Sequence, residues 1–518
     1  MTMAFSTIGW RRTLPTLGLA GLAGLTGTAC MVGPDYKRPT APVPPAYREA
    51  APPPLAGAQE WKPAEPKDTG QRGDWWKVFE DPQLDALEEQ VSVSNQTLAV
   101  AEAQLRGARA VARGARADLY PTIGVAPSIS RGRNVFNGTA QSIAPVTTTT
   151  YQLSGDMTYE VDVWGKIRRG LESSVGAAQA SAADVETVRL SLHAELATDY
   201  FLLRGVDTER QILATNVEEY TKALDLTVRR HDAGVVSGVD VAQAETQLET
   251  TRAQWTELGI QRAQLEHAIA ILAGQPPSAV TVAVAELRLA PPTVPMEVPS
   301  ELLERRPDIA AAERRISSAN AQIGVAQSAF FPSLLLNATG GWSGSSLSKF
   351  FSAPNLFWSV GAALAQTIFE GGKRIATKDQ AIAAYDASVA TYRQTVLTSF
   401  QDVEDNLASL RILAEESEQQ ARAVAAARRA VEMAQSRYEG GVTTYLEVVT
   451  AQAAELANER TAIDLSTRRM TSSVGLIKAL GGGWNAQELP SPGEILSRQP
   501  IDEAASAKAA QASSSTSN

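Results

Sequence analysis

The chain has 518 residues, 44% hydrophobic, 20% charged and 6% aromatic, enough for one large domain or several ordinary ones. One cysteine excludes a disulfide framework and a thiolate zinc site, and 47 basic against 57 acidic residues, net −10, argue against a nucleic-acid partner. No long apolar stretch follows the N-terminal one, which excludes a bundle of membrane-spanning helices.

Arg11 and Arg12 precede an apolar run from Leu14 to Leu25, and Gly27-Thr28-Ala29-Cys30 follows. A short basic region, an apolar core and small residues before a cleavage point describe a signal peptide over residues 1–29. Cys30 then stands as in a bacterial lipobox, although Gly27 replaces the usual leucine. On that reading the thiol carries acyl chains such as palmitate, each buried methylene contributing about 0.8 kcal/mol of anchoring. The competing reading is an unmodified cysteine beside a cleaved or retained leader. Met31 rather than aspartate at the next position favours the outer membrane under the usual lipoprotein sorting preference. Residues 30–81 include Pro42, Pro44, Pro45 and Pro52-Pro53-Pro54, and read as an extended tether.

Residues 82–119 read as helical and end at Tyr120-Pro121. Two strand-like segments follow, 121–133 and 151–164. In the second, Tyr151, Leu153, Met157, Tyr159, Val161 and Val163 alternate with Gln152, Ser154, Asp156, Thr158, Glu160 and Asp162. Residues 166–231 contain almost no breakers and predict a helix of about 100 Å. Gly234 turns the chain into a return helix, 239–273, which closes a first unit at 82–274. After a linker, 275–306, the order recurs over 307–483. A helix reaches Phe331-Pro332, and strands follow at 332–343 and 355–369, the second carrying Leu356, Trp358, Val360, Ala362 and Leu364 on one face. A long helix, 373–438, a turn at Gly441 and a return helix, 446–480, complete the copy. Residues 484–518 form a C-terminal segment whose Ala/Ser-rich end reads as disordered.

The two units are one plan written twice. Arg230-His231-Asp232-Ala233-Gly234-Val235 resembles Arg437-Tyr438-Glu439-Gly440-Gly441-Val442, an offset of 207 (441 − 234). Asp240 and Glu447 share that offset, as do Lys166 and Lys373. Leu119-Tyr120-Pro121-Thr122 resembles Phe330-Phe331-Pro332-Ser333 at an offset of 211.

Alternation with one polar face suits a half-buried soluble hairpin and a transmembrane β-barrel alike. A barrel in lipid must close, and small ones need about eight strands. One chain offers four, so the barrel reading demands an oligomer; three copies supply twelve.

Three strings carry a resemblance. Val32-Gly33-Pro34-Asp35-Tyr36-Lys37-Arg38-Pro39 is similar to the opening of NodT-type outer-membrane efflux lipoproteins. So are Glu301-Leu302-Leu303-Glu304-Arg305-Arg306-Pro307-Asp308-Ile309 and Ile323-Gly324-Val325-Ala326 leading to Phe330-Phe331-Pro332. The chain thus resembles the TolC-like outer membrane factors. The resemblance implies a mixed α and β fold, with a trimeric twelve-stranded barrel of four strands per protomer. A long periplasmic α-helical coiled-coil barrel continues it, with an internal two-fold repeat. It further implies a homotrimer in the outer-membrane bilayer that docks on a periplasmic adaptor and an inner-membrane pump, often of the resistance-nodulation-division class. By the same resemblance Glu447 holds a periplasmic gate position, Asp240 is its counterpart, and Tyr438 matches a tyrosine that can bond across to that acid. Thr450 replaces a second ring acid and Thr443 an arginine link. Gly234, Val235, Gly441 and Val442 mark helix tips that an adaptor would contact. Helix capping and simple helix termination explain the same acids and glycines without a gate.

Catalytic sets are missing from the pattern. His193, His231 and His267 stand apart, Gly341-Trp342-Ser343-Gly344 lacks the spacing of a nucleophile elbow, and Glu370-Gly371-Gly372-Lys373-Arg374 lacks the rest of a phosphate loop. No cofactor, metal or nucleic acid is expected. The leading expectation is a passive exit duct for efflux. A type I secretion conduit and a lipid-anchored periplasmic scaffold are the alternatives, and an enzyme ranks last.

Overall fold

The computed structural model describes residues 31–44, 47–49, 74–135, 145–287, 291–292 and 304–497. The expected signal peptide, Cys30, much of the Pro-rich tether and the end of the C-terminal segment lie outside the described residues. Two compact units divide the chain. The first comprises Met1–Tyr36, Gly114–Ser173 and Ala319–Ala384; the second comprises Lys37–Arg113, Ser174–Ser318 and Tyr385–Asn518.

The first unit is built on four antiparallel strands, β1 (Thr122–Val135), β2 (Pro145–Val161), β3 (Ser333–Gly344) and β4 (Leu356–Ala365), in the order β1-β2-β3-β4. The register aligns the alternation across all four. Ile123 faces Met157, which faces Ala338, which faces Val360; Leu153 faces Pro127 and Trp342, and Trp342 faces Leu356. Directly opposed residues share a face in an antiparallel pair, so these side chains form one continuous apolar surface. The other surface carries the row Gly124, Asp156, Thr339, Ser359, in which Thr339 donates to Asp156 at 2.8 Å and Ser154 donates to it at 3.1 Å. A one-residue slip would reverse both faces, which is why the pattern fixes the register.

Aromatics mark one end of the sheet. Trp164 stacks on Phe331 at 4.8 Å, and its indole N–H donates to the Pro332 carbonyl at 2.7 Å. Tyr120, Phe330 and Phe369 stand exposed in the same stretch of each repeat.

The second unit is helical. Periodicity alone reads a single helix from residue 82; the chain instead forms α1 (Pro82–Ser94) and α2 (Gln96–Ala117). Asn95 causes the break: its side-chain carbonyl accepts from Leu98 N–H at 3.0 Å, and its amide donates to the Leu272 carbonyl at 2.8 Å. The long helices are α3 (Lys166–Asp232) and α4 (Gly238–Leu272), then α5 (Pro307–Ser328), α6 (Lys373–Glu439) and α7 (Tyr445–Ala479). Val206, Leu213, Leu258 and Leu456 bury together as a small seam of α3, α4 and α7. Buried charge is paired here: Asp207 accepts from Arg204 at 3.2 Å and Arg262 at 2.8 Å, and Arg204 also donates to Tyr200 and Gln83. Removing one member would strand the other, a far larger loss than the pair's net contribution. The described part of the tether is fastened to this unit. Arg48 and Glu49 N–H groups bond the Glu404 carboxylate at 2.7 and 2.9 Å, and Arg411 pairs with Glu49 at 2.6 Å.

Candidate functional site

In the first unit the apolar surface is bare and the sheet is open. Ile123 is 73% exposed, Trp358 78% and Val360 74%, and among the described residues β1 and β4 each pair on one side only. A four-stranded sheet with a greasy outer face and two open edges is unstable as a monomer in water or lipid. It is complete as an arc of a closed barrel, with Asp156, Thr339 and Ser154 turned to the lumen.

In the second unit the two helix tips repeat one construction. Gly234 and Gly441 both adopt φ 71°. Val235 N–H reaches back to the Arg230 carbonyl and Gly234 N–H to the His231 carbonyl, each at 2.8 Å; Val442 and Gly441 do the same to Arg437 and Tyr438 at 2.9 and 3.1 Å. This is the Schellman stop, and the left-handed residue inside it favours glycine. Val235 and Val442 emerge exposed just beyond it.

The acids then diverge. Asp240 folds back on its own helix start: its carboxylate accepts from Ser237 N–H at 3.0 Å and Ser237 Oγ at 3.2 Å, completing a capping box. Glu447 occupies the matching place in α7, yet the N-cap, Thr444, makes no side-chain bond that caps the helix. Glu447 instead pairs with Arg437 at 2.6 Å and accepts from the Thr443 hydroxyl. One acid is bound to its cap, while the other ties the last turn of α6 to the first turn of α7.

Tyr438 is 7% exposed, against Tyr445 at 5.2 Å between ring centroids. Its hydroxyl makes no hydrogen bond among the described residues, so the bond to Glu447 implied by resemblance is not made within this protomer. Thr450 spends its hydroxyl on the Leu446 carbonyl one turn back, at 2.8 Å. Pattern reasoning gave no role to Arg230, the repeat partner of Arg437. Its guanidinium lies 5.0 Å over the Tyr438 ring and donates to the Glu439 carbonyl at 3.2 Å. It links the first hairpin to the second. A cavity of about 380 Å³ opens beside this link, lined among others by Glu219, Lys222, Tyr438, Glu439, Tyr445 and Gln452. Burial pushes the Tyr445 hydroxyl up to about 12, so it stays a neutral donor there.

A second cluster is invisible to pattern reading. His193, on α3, bonds Glu88 of α1 through Nδ1 at 2.6 Å and Ser92 through Nε2 at 3.2 Å, with Trp76 stacked on the ring at 4.4 Å. The order Ser-His-Glu imitates a nucleophile relay. However, Ser92 sits in the last turn of α1, where the helix dipole opposes an oxyanion. Burial also lowers His193 to about 4 and raises Glu88 well above its ordinary value, which leaves a weak base. The cluster packs α1 and the Trp76 ring against α3.

A sheet arc with a bare apolar face, joined in sequence to paired helical hairpins, defines the protomer of an outer-membrane channel. The family model described as outer membrane efflux protein matches residues 87–275 and 298–482, one stretch in each repeat, and the chain belongs to that family. The pyoverdine export outer membrane protein OpmQ of Pseudomonas aeruginosa is 32% identical over 439 residues, 83% of this chain and 92% of its own length. The probable outer membrane lipoprotein SilC of Salmonella typhimurium is 28% identical over 477 residues, 91% of this chain and 99% of its own. The solved outer-membrane channel OprN is similar with a TM-score of 0.79 at 33% identity, over 88% of this chain and all of that one. This chain is an outer-membrane component of efflux, an exit duct of the TolC-like trimeric fold in which each protomer lends four strands to a twelve-stranded barrel. Members of the family are channel proteins that form homotrimers and work with an adaptor and an inner-membrane pump.

Proposed function

We propose that this duct serves a tripartite system whose pump is of the resistance-nodulation-division class, with Cys30 acylated and the helix tips acting as both gate and adaptor contact. The tip geometry is the observation that supports it: exposed Val235 and Val442 follow two glycine stops, and Glu447 holds α6 to α7 through Arg437 and Thr443. Splaying the hairpins breaks the Arg230–Tyr438 contact that joins them, and rearranging the tip of the second hairpin breaks the Glu447 tie within it. Asp240, Tyr438, Glu447 and Thr450 are the gate positions in this reading; Gly234, Val235, Gly441 and Val442 meet the adaptor.

Photo-crosslinkers at Val235 and Val442 test the contact in cells expressing the chain with a candidate adaptor and resistance-nodulation-division pump. The expected product joins this chain to the adaptor and disappears when the adaptor is deleted. Efflux restored only with an ATP-driven secretion pump, or crosslinks absent from both positions, would reject the assignment. Loss of acyl label in Cys30→Ala, with the label present in the parent, tests the anchor separately.

A further inference from the structure

Residues 31–35 are seated in a socket that the internal repeat does not account for. The Val32 N–H donates to the Trp164 carbonyl at 3.0 Å, at the corner where β2 gives way to α3. Arg169, in the first turn of α3 and 2% exposed, wraps the segment. Its Nε reaches the Val32 carbonyl at 3.4 Å, and Nη2 reaches the Gly33 carbonyl at 3.4 Å and the Asp35 carboxylate at 2.9 Å. Nη1 is held by Glu172 at 2.8 Å, which fixes the fork. Asn320 on α5, 4% exposed, donates to the Pro34 carbonyl at 2.9 Å. Gly33 crosses Gly324 so closely that a Cβ on Gly33 would lie 2.5 Å from the Gly324 Cα, and one on Gly324 would lie 3.0 Å from the Val32 oxygen. Met31 covers Gly165, where a Cβ would fall 3.1 Å from the Met31 Cα.

Four of these partners differ between the two repeats. At the offset of 207, Trp164 and Arg169 correspond to Gly371 and Ala376; at 211, Asn320 and Gly324 correspond to Arg109 and Arg113. Their neighbours keep the repeat: Gly165 and Gly372 are both left-handed, with φ 80° and 90°, and a lysine follows each. Two equivalent halves of a barrel wall give no reason for this asymmetry. A single N-terminus per chain does, since it can occupy only one of two similar corners.

We propose that Trp164, Gly165, Arg169, Asn320 and Gly324 form a docking socket for the mature N-terminus. Arg169 is the positioning residue that sets where the lipid anchor enters the membrane. The proposal rests on the acylation of Cys30. Peptide geometry puts the Cys30 Cα about 3.8 Å from that of Met31, so acyl chains on its thiol start at this corner. Trp164 and Phe331 stack there, and such aromatics sit at membrane–water interfaces. A segment held in place loses less freedom when its chains enter lipid than a loose one does. It also joins α3 of the first repeat to α5 of the second.

Trypsin cleavage after Lys37 in the purified full-length trimer, followed by mass spectrometry, measures release of the segment. Arg169→Ala and Gly324→Ala should each speed cleavage about tenfold or more, since opening the segment then breaks fewer bonds to a buried charge or starts from a strained fit. Arg169→Lys should fall between, because an ammonium cannot span the acceptors of a planar fork. Asp35→Ala should change the rate by less than about threefold, its carboxylate being 91% exposed. Gly324→Ala retains Arg169 and still reads the socket if Arg169→Ala does not assemble. Unchanged cleavage in Arg169→Lys and Gly324→Ala overturns the socket. The mass of the released peptide reports acylation independently, and an unmodified Cys30 in the parent overturns the anchoring role alone.

Discussion

Replacing Glu447 with glutamine removes one charge from the tie between α6 and α7 while keeping a side chain of the same size in the first turn of α7. The Arg437 and Glu447 side chains are 55% and 40% exposed, so solvent screens the pair and its worth is about 0.2–1 kcal/mol per protomer. If the three tips of the trimer open together, the shift is about 0.6–3 kcal/mol. That raises the open population roughly 3- to 150-fold. Single-channel recording in planar bilayers measures that population directly. Glu447→Gln should raise the open fraction, Arg437→Gln should raise it by a similar factor, and the double variant should add little to either. High salt should shrink the difference, since the pair is exposed. Equal open fractions for parent and Glu447→Gln at low salt would refute a restraining role for this tie. A double variant whose effect is the sum of the singles would show that the two residues act apart.

Three further outcomes follow from the geometry. Asp240→Ala should cost about 0.3–1.5 kcal/mol through loss of the N3 half of the capping box, whereas Asp240→Asn should retain an acceptor and lower only cation selectivity; thermal melts and reversal potentials separate the two. Gly341→Ala should prevent a heat-stable trimer on gels, because its Cβ would fall 1.9 Å from the Leu153 carbonyl oxygen, while Gly340→Ala, meeting nothing nearer than 3.8 Å, should assemble as the parent does. The Glu88–His193 pair should make stability pH-dependent. With Glu88 raised and His193 lowered to about 4, the folded pair holds one proton; the unfolded groups, at 4.5 and 6.5, also hold one between those values and none well above 6.5. The pair's contribution is therefore flat between those two values and falls with rising pH once the unfolded groups have lost their proton while the folded Glu88 still holds its own. Urea titrations of the parent and Glu88→Gln from pH 6 to 8 check this, and parallel pH slopes for the two proteins would contradict it.

The sheet was legible because alternation is local: Tyr151, Leu153, Met157 and Tyr159 announce their face within one strand, and lipid requires that face to be continuous. The tips were legible as positions, through Gly234 and Gly441, but not as interactions. Nothing near Asp240 distinguishes it from Glu447 until Ser237 and Thr444 are seen to differ as caps. The break at Asn95 carried a local signal, an amide between Ser94 and Gln96, that helical periodicity outweighed. Arg230 over Tyr438 and His193 beside Glu88 carried no such signal, being brought together by helices from distant parts of the chain. The socket around Arg169 was hidden for another reason. Repetition in the sequence points to matching residues, whereas four of the five socket residues fail to match.

The pairing of β2 with β3 also governs when the membrane arc can form. Val161, the last residue of β2, is paired with Leu334, and α3 and α4 lie between them in sequence. β1 and β2 emerge from synthesis early, as a hairpin with one greasy face and no partner on either edge. They must remain unaggregated until the second repeat delivers β3 and β4, because contacts so distant in sequence close slowly. An exposed hairpin awaiting its partners is prone to pair with the wrong strand. The order in which the chain is made therefore leaves that first hairpin without its sheet partner until the second repeat is complete.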